Sequence, residues 1–182
     1  IYPGDRVVVL GPGPMGLLTT QVAKASGAGT VMQTGHKGVR LNIAIELGAD
    51  ETIAVDEEDP VTKVMEMTDG LGADVVFEAS GSASAAVQAF DMVRKGGQIT
   101  FIASPREPVE LELRKLLGKS LVVRGSLMSK WIDYERAITL ISRGKVRVEP
   151  MITHKLPITE WKKAFDAIIL EKTAGKVILT PV

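Results

Sequence analysis

The run VVVLGPGPMGLL, which begins at Val7, constrains the fold more than any other stretch of the chain. An apolar segment of strand-forming residues breaks into Gly11, Gly13 and Gly16, and an apolar stretch of helical spacing follows. A strand that turns into a helix across G-x-G-x-x-G is built to seat a dinucleotide pyrophosphate. Gly11 permits the sharp turn off the strand. Gly13 has no Cβ to hold a pyrophosphate away from the backbone, and Gly16 lets the helix pack closely on the sheet. Pro14 stands at the helix start, where its missing N–H costs nothing, and Met15, Leu18, Val22 and Ala25 recur at helical spacing until Gly27 closes the helix. The free N–H groups and the positive dipole end of that helix would face the phosphates. Ordinary strand-to-helix turns also use glycine, but here strand, turn and helix all agree, which favours the cofactor reading.

The rest of the chain continues the alternation. Strands are expected at 30–34, 52–55, 74–79, 98–103 and 121–124, and helices at 41–47, 60–68 and 83–93. Runs such as Val75-Val76-Phe77 and Ile99-Thr100-Phe101-Ile102 are almost continuously apolar. Such strands belong to a parallel sheet covered by helices on both faces, so the fold class is α/β, a doubly wound six-stranded sheet. Residues 109–113, Val-Glu-Leu-Glu-Leu, alternate and read as a half-exposed edge strand. From Trp131 the alternation stops, giving a helix at 131–141, an extended piece at 151–153, a helix at 159–170 and a last strand at 176–179. The expected division is a dinucleotide-binding domain over 1–127 and a helix and strand tail over 128–182.

At 182 residues the chain can hold one α/β domain of ample core with an appendage. Its 22 basic and 22 acidic residues balance and 45% of the residues are hydrophobic, which disfavours a nucleic-acid surface, an acidic tail or disorder. No cysteine is present, so neither a disulfide framework nor a thiolate metal site can form within it, as suits a cytoplasmic protein. No signal peptide or membrane-length apolar run is seen. The chain starts at Ile1 and enters its first strand after only a Pro3-Gly4-Asp5 turn, which reads as a piece of a longer protein.

In a sheet of this winding order the tips of the first and fourth strands border one crevice, where ligands bind. The fourth strand ends in Glu78-Ala79-Ser80-Gly81, whose small residues let a ribose or flat ring approach, and the fifth ends in Ile102-Ala103-Ser104. The end of the second strand should decide between the nicotinamide cofactors, since an acid there accepts from the ribose 2′-hydroxyl and repels a 2′-phosphate. That position falls in Thr34-Gly35-His36-Lys37, with Arg40 close behind, and holds no carboxylate. Gly35 would leave space, and Lys37 or Arg40 would supply charge-assisted hydrogen bonds to a phosphate, so NADP is expected, with NAD possible. Turn glycines beside solvated cations are the plainer reading of the same residues.

Pro3-Gly4-Asp5 before VVVLGPGPMG, ELGAD at Glu46, FEASG at Phe77, Gly96-Gly97, RGSL at Arg124 and PMITHKLPITEWKKAF at Pro150 resemble, in order, stretches of the medium-chain dehydrogenases. The resemblance is to the zinc-dependent alcohol dehydrogenase type, nearest its sorbitol and threonine dehydrogenase branch, and covers essentially the whole chain. It implies that Gly11, Gly13 and Gly16 carry the pyrophosphate, Gly35 to Lys37 the adenosine ribose, and Ile102, Ala103, Ser126 and Leu127 the nicotinamide side. It also implies a small alcohol or ketone substrate, a separate zinc-bearing catalytic domain preceding Ile1 on which the tail packs, and a homodimer or homotetramer through an edge strand, placed at 109–113. Many relatives carry an aspartate where Gly35 stands, so NAD use is not inherited from the likeness.

Alcohol oxidation needs a Lewis acid or a proton acceptor as hydride leaves, yet the two histidines, His36 and His154, fall on different elements and form no ligand cluster. No catalytic or metal-binding residue is therefore expected here. Two other readings fit a lone doubly wound domain. A regulatory nucleotide sensor would have no evident need for the tail. A methyltransferase commonly wants an acid at the end of the second strand, which this chain lacks.

Overall fold

The computed structural model describes residues 1–105, 107–170 and 174–181. Six strands form one parallel sheet: β1 (Arg6–Leu10), β2 (Thr30–Gly35), β3 (Glu51–Ala54), β4 (Ala73–Glu78), β5 (Val93–Phe101) and β6 (Val122–Gly125). Their spatial order is β3-β2-β1-β4-β5-β6, so the chain starts at a central strand, winds outward to β3, and crosses back to β4. The helices between them are α1 (Pro14–Ala25), α2 (Val39–Glu46), α3 (Pro60–Met67), α4 (Ala83–Met92) and the short α5 (Leu113–Gly118). The expected doubly wound α/β architecture is what the chain adopts.

Successive residues of β1 bury on opposite faces, as a two-residue period requires when both faces are covered. Val8 and Leu10 pack with Met32, Ile53, Val76, Phe90 and Ile99, whereas Val7 and Val9 pack with Ala23, Val31 and Val75 on the other side. All four β1 side chains are at most 1% exposed, each burial being worth about 2 kcal/mol. Buried Gln33 of β2 donates its amide to Val9 O and accepts from the Thr20 hydroxyl, which docks α1 on the sheet without leaving a polar group unpaired.

The expectation of an edge strand at 109–113 is overturned. Residues 107–112 form no strand and α5 begins at Leu113. Of the alternating residues Leu111 turns onto the cluster of buried apolar residues around Phe90, joined there by Leu116 of α5, whereas Leu113 is exposed, so the alternation reflects packing under a loop and not a pleated strand. The sheet edge on that side is β6, which among the described residues pairs with β5 alone. A second difference is that β5 starts at Val93, directly after α4, and a register shift between Ala73 and Val75 accommodates Gly96, at φ +68°.

The tail comprises α6 (Trp131–Ser142), β7 (Ile152–Pro157), α7 (Trp161–Ile169) and β8 (Lys176–Thr180), with β7 and β8 paired as a separate parallel ribbon. It is tied back to α1 and α2 at several points. Gln21 exchanges two hydrogen bonds with the Arg147 backbone, at 2.7 and 2.9 Å. Met151 joins Leu17, Ile43 and Leu47 in a third buried cluster.

Candidate functional site

The tips of β1, β2 and β4 are laced together by backbone hydrogen bonds, Gly11 N to Thr34 O at 3.0 Å and Ala79 N to Leu10 O at 2.9 Å. Above them lies a cleft of about 670 Å³, lined by Gly11, Pro12, Gly35, His36, Ser80 and the acidic turn Asp56 to Asp59, among others. It stands at the carboxyl ends of the strands, where the winding direction reverses.

The three glycines of the first turn have separate structural causes. Gly11 has φ +96°, and a Cβ there would fall 2.6–2.8 Å from Ser80. A Cβ on Gly16 would stand 1.8 Å from Gly11 O, so helix α1 can lie this close to the turn only without a side chain. Gly13 differs, because a Cβ there would meet no protein atom within 4 Å. Its bareness answers no packing need inside the chain. Gly13 is the N-cap of α1, gives no side-chain cap, and is followed by Pro14. With Leu17 N bonded to Gly13 O, the amides of Met15 and Gly16 belong to the first turn that has no intrahelical acceptor. Donors of this kind at a positive helix end, reached past a residue with no side chain, fit an anionic diphosphate.

Glu78, present in the FEASG stretch but given no role by the sequence reading, organises the second wall. Its side chain is fully buried at the end of β4 and accepts from Ser80 N at 2.8 Å, Gly81 N at 3.0 Å and the Ser80 hydroxyl. Its backbone oxygen accepts from Ile102 N and Ala103 N at 2.8 and 3.2 Å. A Cβ on Gly81 would lie 3.3 Å from Ser104 O. One carboxylate thus fixes the Ala79–Gly81 turn beside Ile102, Ala103 and Ser104. The sequence signal was an acid closing the apolar run Val75-Val76-Phe77. Ser126 N bonds to Phe101 O beyond β6, and Leu127 follows it, 89% exposed.

The end of β2 departs from expectation in two ways. Gly35 leaves no vacant space, because a Cβ there would lie 2.4 Å from Pro12 Cδ and Cγ; the ring of the glycine turn already fills it. Arg40 is turned away: its Nε donates to Ala174 O at 2.7 Å, which ties α2 to the tail. Lys37 is the cation left at the rim. Its Nζ lies 2.5 Å from Glu57 Oε1 and its backbone N–H donates to Asp56 at 3.0 Å. The Glu57 hydrogen bond and charge raise the Lys37 pKa, and the Lys37 amide lowers that of Asp56. His36 lines the cleft, whereas His154 is on β7, its Nδ1 2.9 Å from the Thr153 hydroxyl. Among the described residues, no group of three or more His, Cys, Asp or Glu side chains is placed to hold a metal ion.

Comparison with known proteins places this geometry in a family. Residues 14–143 match the sequence family described as zinc-binding dehydrogenase. The chain is 44% identical to a sorbitol dehydrogenase of Halalkalibacterium halodurans, over 100% of its own length and 53% of that protein's. It therefore spans about half the length of the curated relatives it matches. Among solved structures, an alcohol dehydrogenase of Thermus sp. ATN1 superposes with a TM-score of 0.92 at 32% identity, over 100% of this chain and 52% of that one. A zinc-binding dehydrogenase of Sinorhizobium meliloti 1021 bound to NADP gives 0.86 at 30% identity, over 100% and 54%. A dehydrogenase of Escherichia coli CFT073 complexed with NADH gives 0.89 at 25% identity, over 98% and 53%.

Proposed function

Because the chain belongs to the zinc-binding dehydrogenase family, the zinc-type medium-chain alcohol dehydrogenases, we propose that it is the half that binds and aims the nicotinamide dinucleotide. The observation that carries this reading is Gly13: it is bare toward open space and stands over uncapped helix amides. In this reading Met15 and Gly16 donate to the diphosphate, Pro14 fixes the entry of α1, and Gly11 keeps the turn closed against Ser80. Glu78 holds the Ala79–Gly81 turn so that Ile102, Ala103, Ser104, Ser126 and Leu127 form a ledge for the nicotinamide end. When bound, the nicotinamide ring would supply the hydride acceptor or donor for a small alcohol or ketone.

The finer reading is NADP(H). No carboxylate stands on β2, and Lys37 is a cation within reach of a ribose phosphate, although Gly35 gives no extra room and Arg40 no help. Titration with both reduced cofactors tests it. Tighter NADPH binding, weakened by Lys37→Glu, is expected; tighter NADH binding, or an unchanged NADPH affinity in that variant, would overturn it.

The zinc and the proton-handling groups are assigned to the part of the relatives that this chain does not match, and the chain alone is expected not to turn over alcohols. Zinc-dependent oxidation by it alone would refute that. The exposed apolar side chains of α6 and α7 fit the surface on which that other half would pack. No described helix is long and apolar enough to cross a membrane. If copies associate through the sheet edge on that side, the edge strand is β6 and not 109–113, so the homodimer or homotetramer contact is reassigned to Val122–Gly125.

A further inference from the structure

We propose that Glu57 sets the balance between the two nicotinamide dinucleotides, by holding Lys37 whenever no 2′-phosphate is present. The inference rests on the reading that Lys37 meets that phosphate, and it adds a competitor for the same ammonium. Among the described residues, the walls of the cleft hold no lysine or arginine, but they hold Asp56, Glu57, Glu58 and Asp59. Three of these acids have other work. Asp56 accepts from the Lys37 backbone at 3.0 Å, Asp59 caps α3 by accepting from Thr62 N and Oγ1 at 2.8 and 2.7 Å, and Glu58 lies 4.0 Å from Lys63 Nζ. Glu57 alone reaches the Lys37 ammonium, at 2.5 Å.

Both side chains are exposed, at 69% for Lys37 and 53% for Glu57, so the pair is weak and opens readily. A ribose 2′-phosphate arriving at the end of β2 must draw Lys37 off Glu57 and then sit beside a carboxylate it has stripped of its partner. A ribose 2′-hydroxyl faces neither cost. Glu57 therefore penalises NADPH and leaves NADH almost untouched, and Glu57→Gln frees Lys37 for the phosphate while keeping size and polarity.

The test compares dissociation constants of NADPH and NADH for the wild type, Glu57→Gln, Lys37→Met and the double variant, each at low and high salt. Glu57→Gln should raise the affinity for NADPH about three- to tenfold, with NADH changed less than about twofold and the gain shrinking in salt. Lys37→Met should weaken NADPH, and Glu57→Gln should gain less in that background, which is the coupling the proposal requires. If Lys37→Met weakens NADPH but Glu57→Gln leaves the NADPH to NADH ratio unchanged, the role of Glu57 is refuted while the cofactor reading stands. If Lys37→Met leaves NADPH binding unchanged, the 2′-phosphate reading falls and this inference falls with it. Melting temperatures unchanged across the set exclude a folding defect as the cause.

Discussion

The β1–α1 turn and helix α6 present the same kind of sequence, apolar residues at a regular period, with opposite outcomes. Around the turn every apolar side chain of β1 is buried, and Gly11 and Gly16 are dictated by atoms less than 3 Å from where a Cβ would stand. Helix α6 carries Trp131, Ile132, Tyr134, Ile138 and Ile141, yet none of its residues is buried, and Trp131 is 79% exposed. Periodicity shows which residues share a face; whether that face is covered depends on what stands opposite.

The sharpest break in this comparison lies within the glycine turn itself. Gly16→Ala should destabilise the chain by about 3 kcal/mol, because the new methyl group meets the Gly11 carbonyl and α1 must move off the sheet. Urea unfolding checks this, and a loss below about 1 kcal/mol would mean that the helix has freedom the packing denies. Gly13→Val, three residues earlier, should cost no more than about 1 kcal/mol, the loss of a glycine N-cap, since nothing in the chain opposes the side chain. It should nevertheless weaken NADPH and NADH about 100-fold, roughly 2.7 kcal/mol, by blocking approach to the amides. Unchanged affinity in a folded sample would remove the diphosphate assignment.

A smaller effect is expected where the sheet is fastened at its other end. Asp74 accepts from Arg6 N at 2.7 Å and from Arg94 Nε at 2.5 Å. Burial pushes its carboxyl up, but the Arg6 amide and the Arg94 guanidinium outweigh that and hold it below the usual carboxylate value. Its contribution is fully present above the unfolded-state pKa of about 4 and is lost as the pH falls through that value to the lower folded one. Asp74→Asn should cost about 2 kcal/mol at pH 7, and the difference from wild type should shrink in acid when unfolding is followed across pH 2–6. A difference that persists at low pH would assign the loss to packing. The smallest effect belongs to α6: Ile138→Glu, at a position 67% exposed, should change stability by less than about 0.5 kcal/mol. A larger loss would mean that the α6 face is covered within this chain.

Much of the molecule is legible from local chemistry. Glycine at the strand-to-helix turn, proline opening α1 and α3, and unbroken apolar strands each act over a few residues, so the doubly wound order and nearly all element positions follow from them. The false edge strand at 109–113 shows where such reasoning stops. Alternation cannot distinguish a pleated edge from a loop whose Leu111 drops onto Phe90 and its neighbours, because that contact spans residues far apart in the chain.

Local residue chemistry set the winding of the sheet, the bare helix mouth over the cleft and the absence of an acid on β2, since each depends on backbone preference and residue type alone. Tertiary structure decided the rest. It filled the space at Gly35 with Pro12, sent Arg40 to the tail, made Glu78 the anchor of the Ala79–Gly81 turn and set Glu57 against Lys37. The placing of Pro12 against Gly35, Arg40 against Ala174 and Lys37 against Glu57 turns on distances between segments 20 or more residues apart, and Glu78, though it bonds locally to Ser80 and Gly81, owes its burial to the sheet around β4.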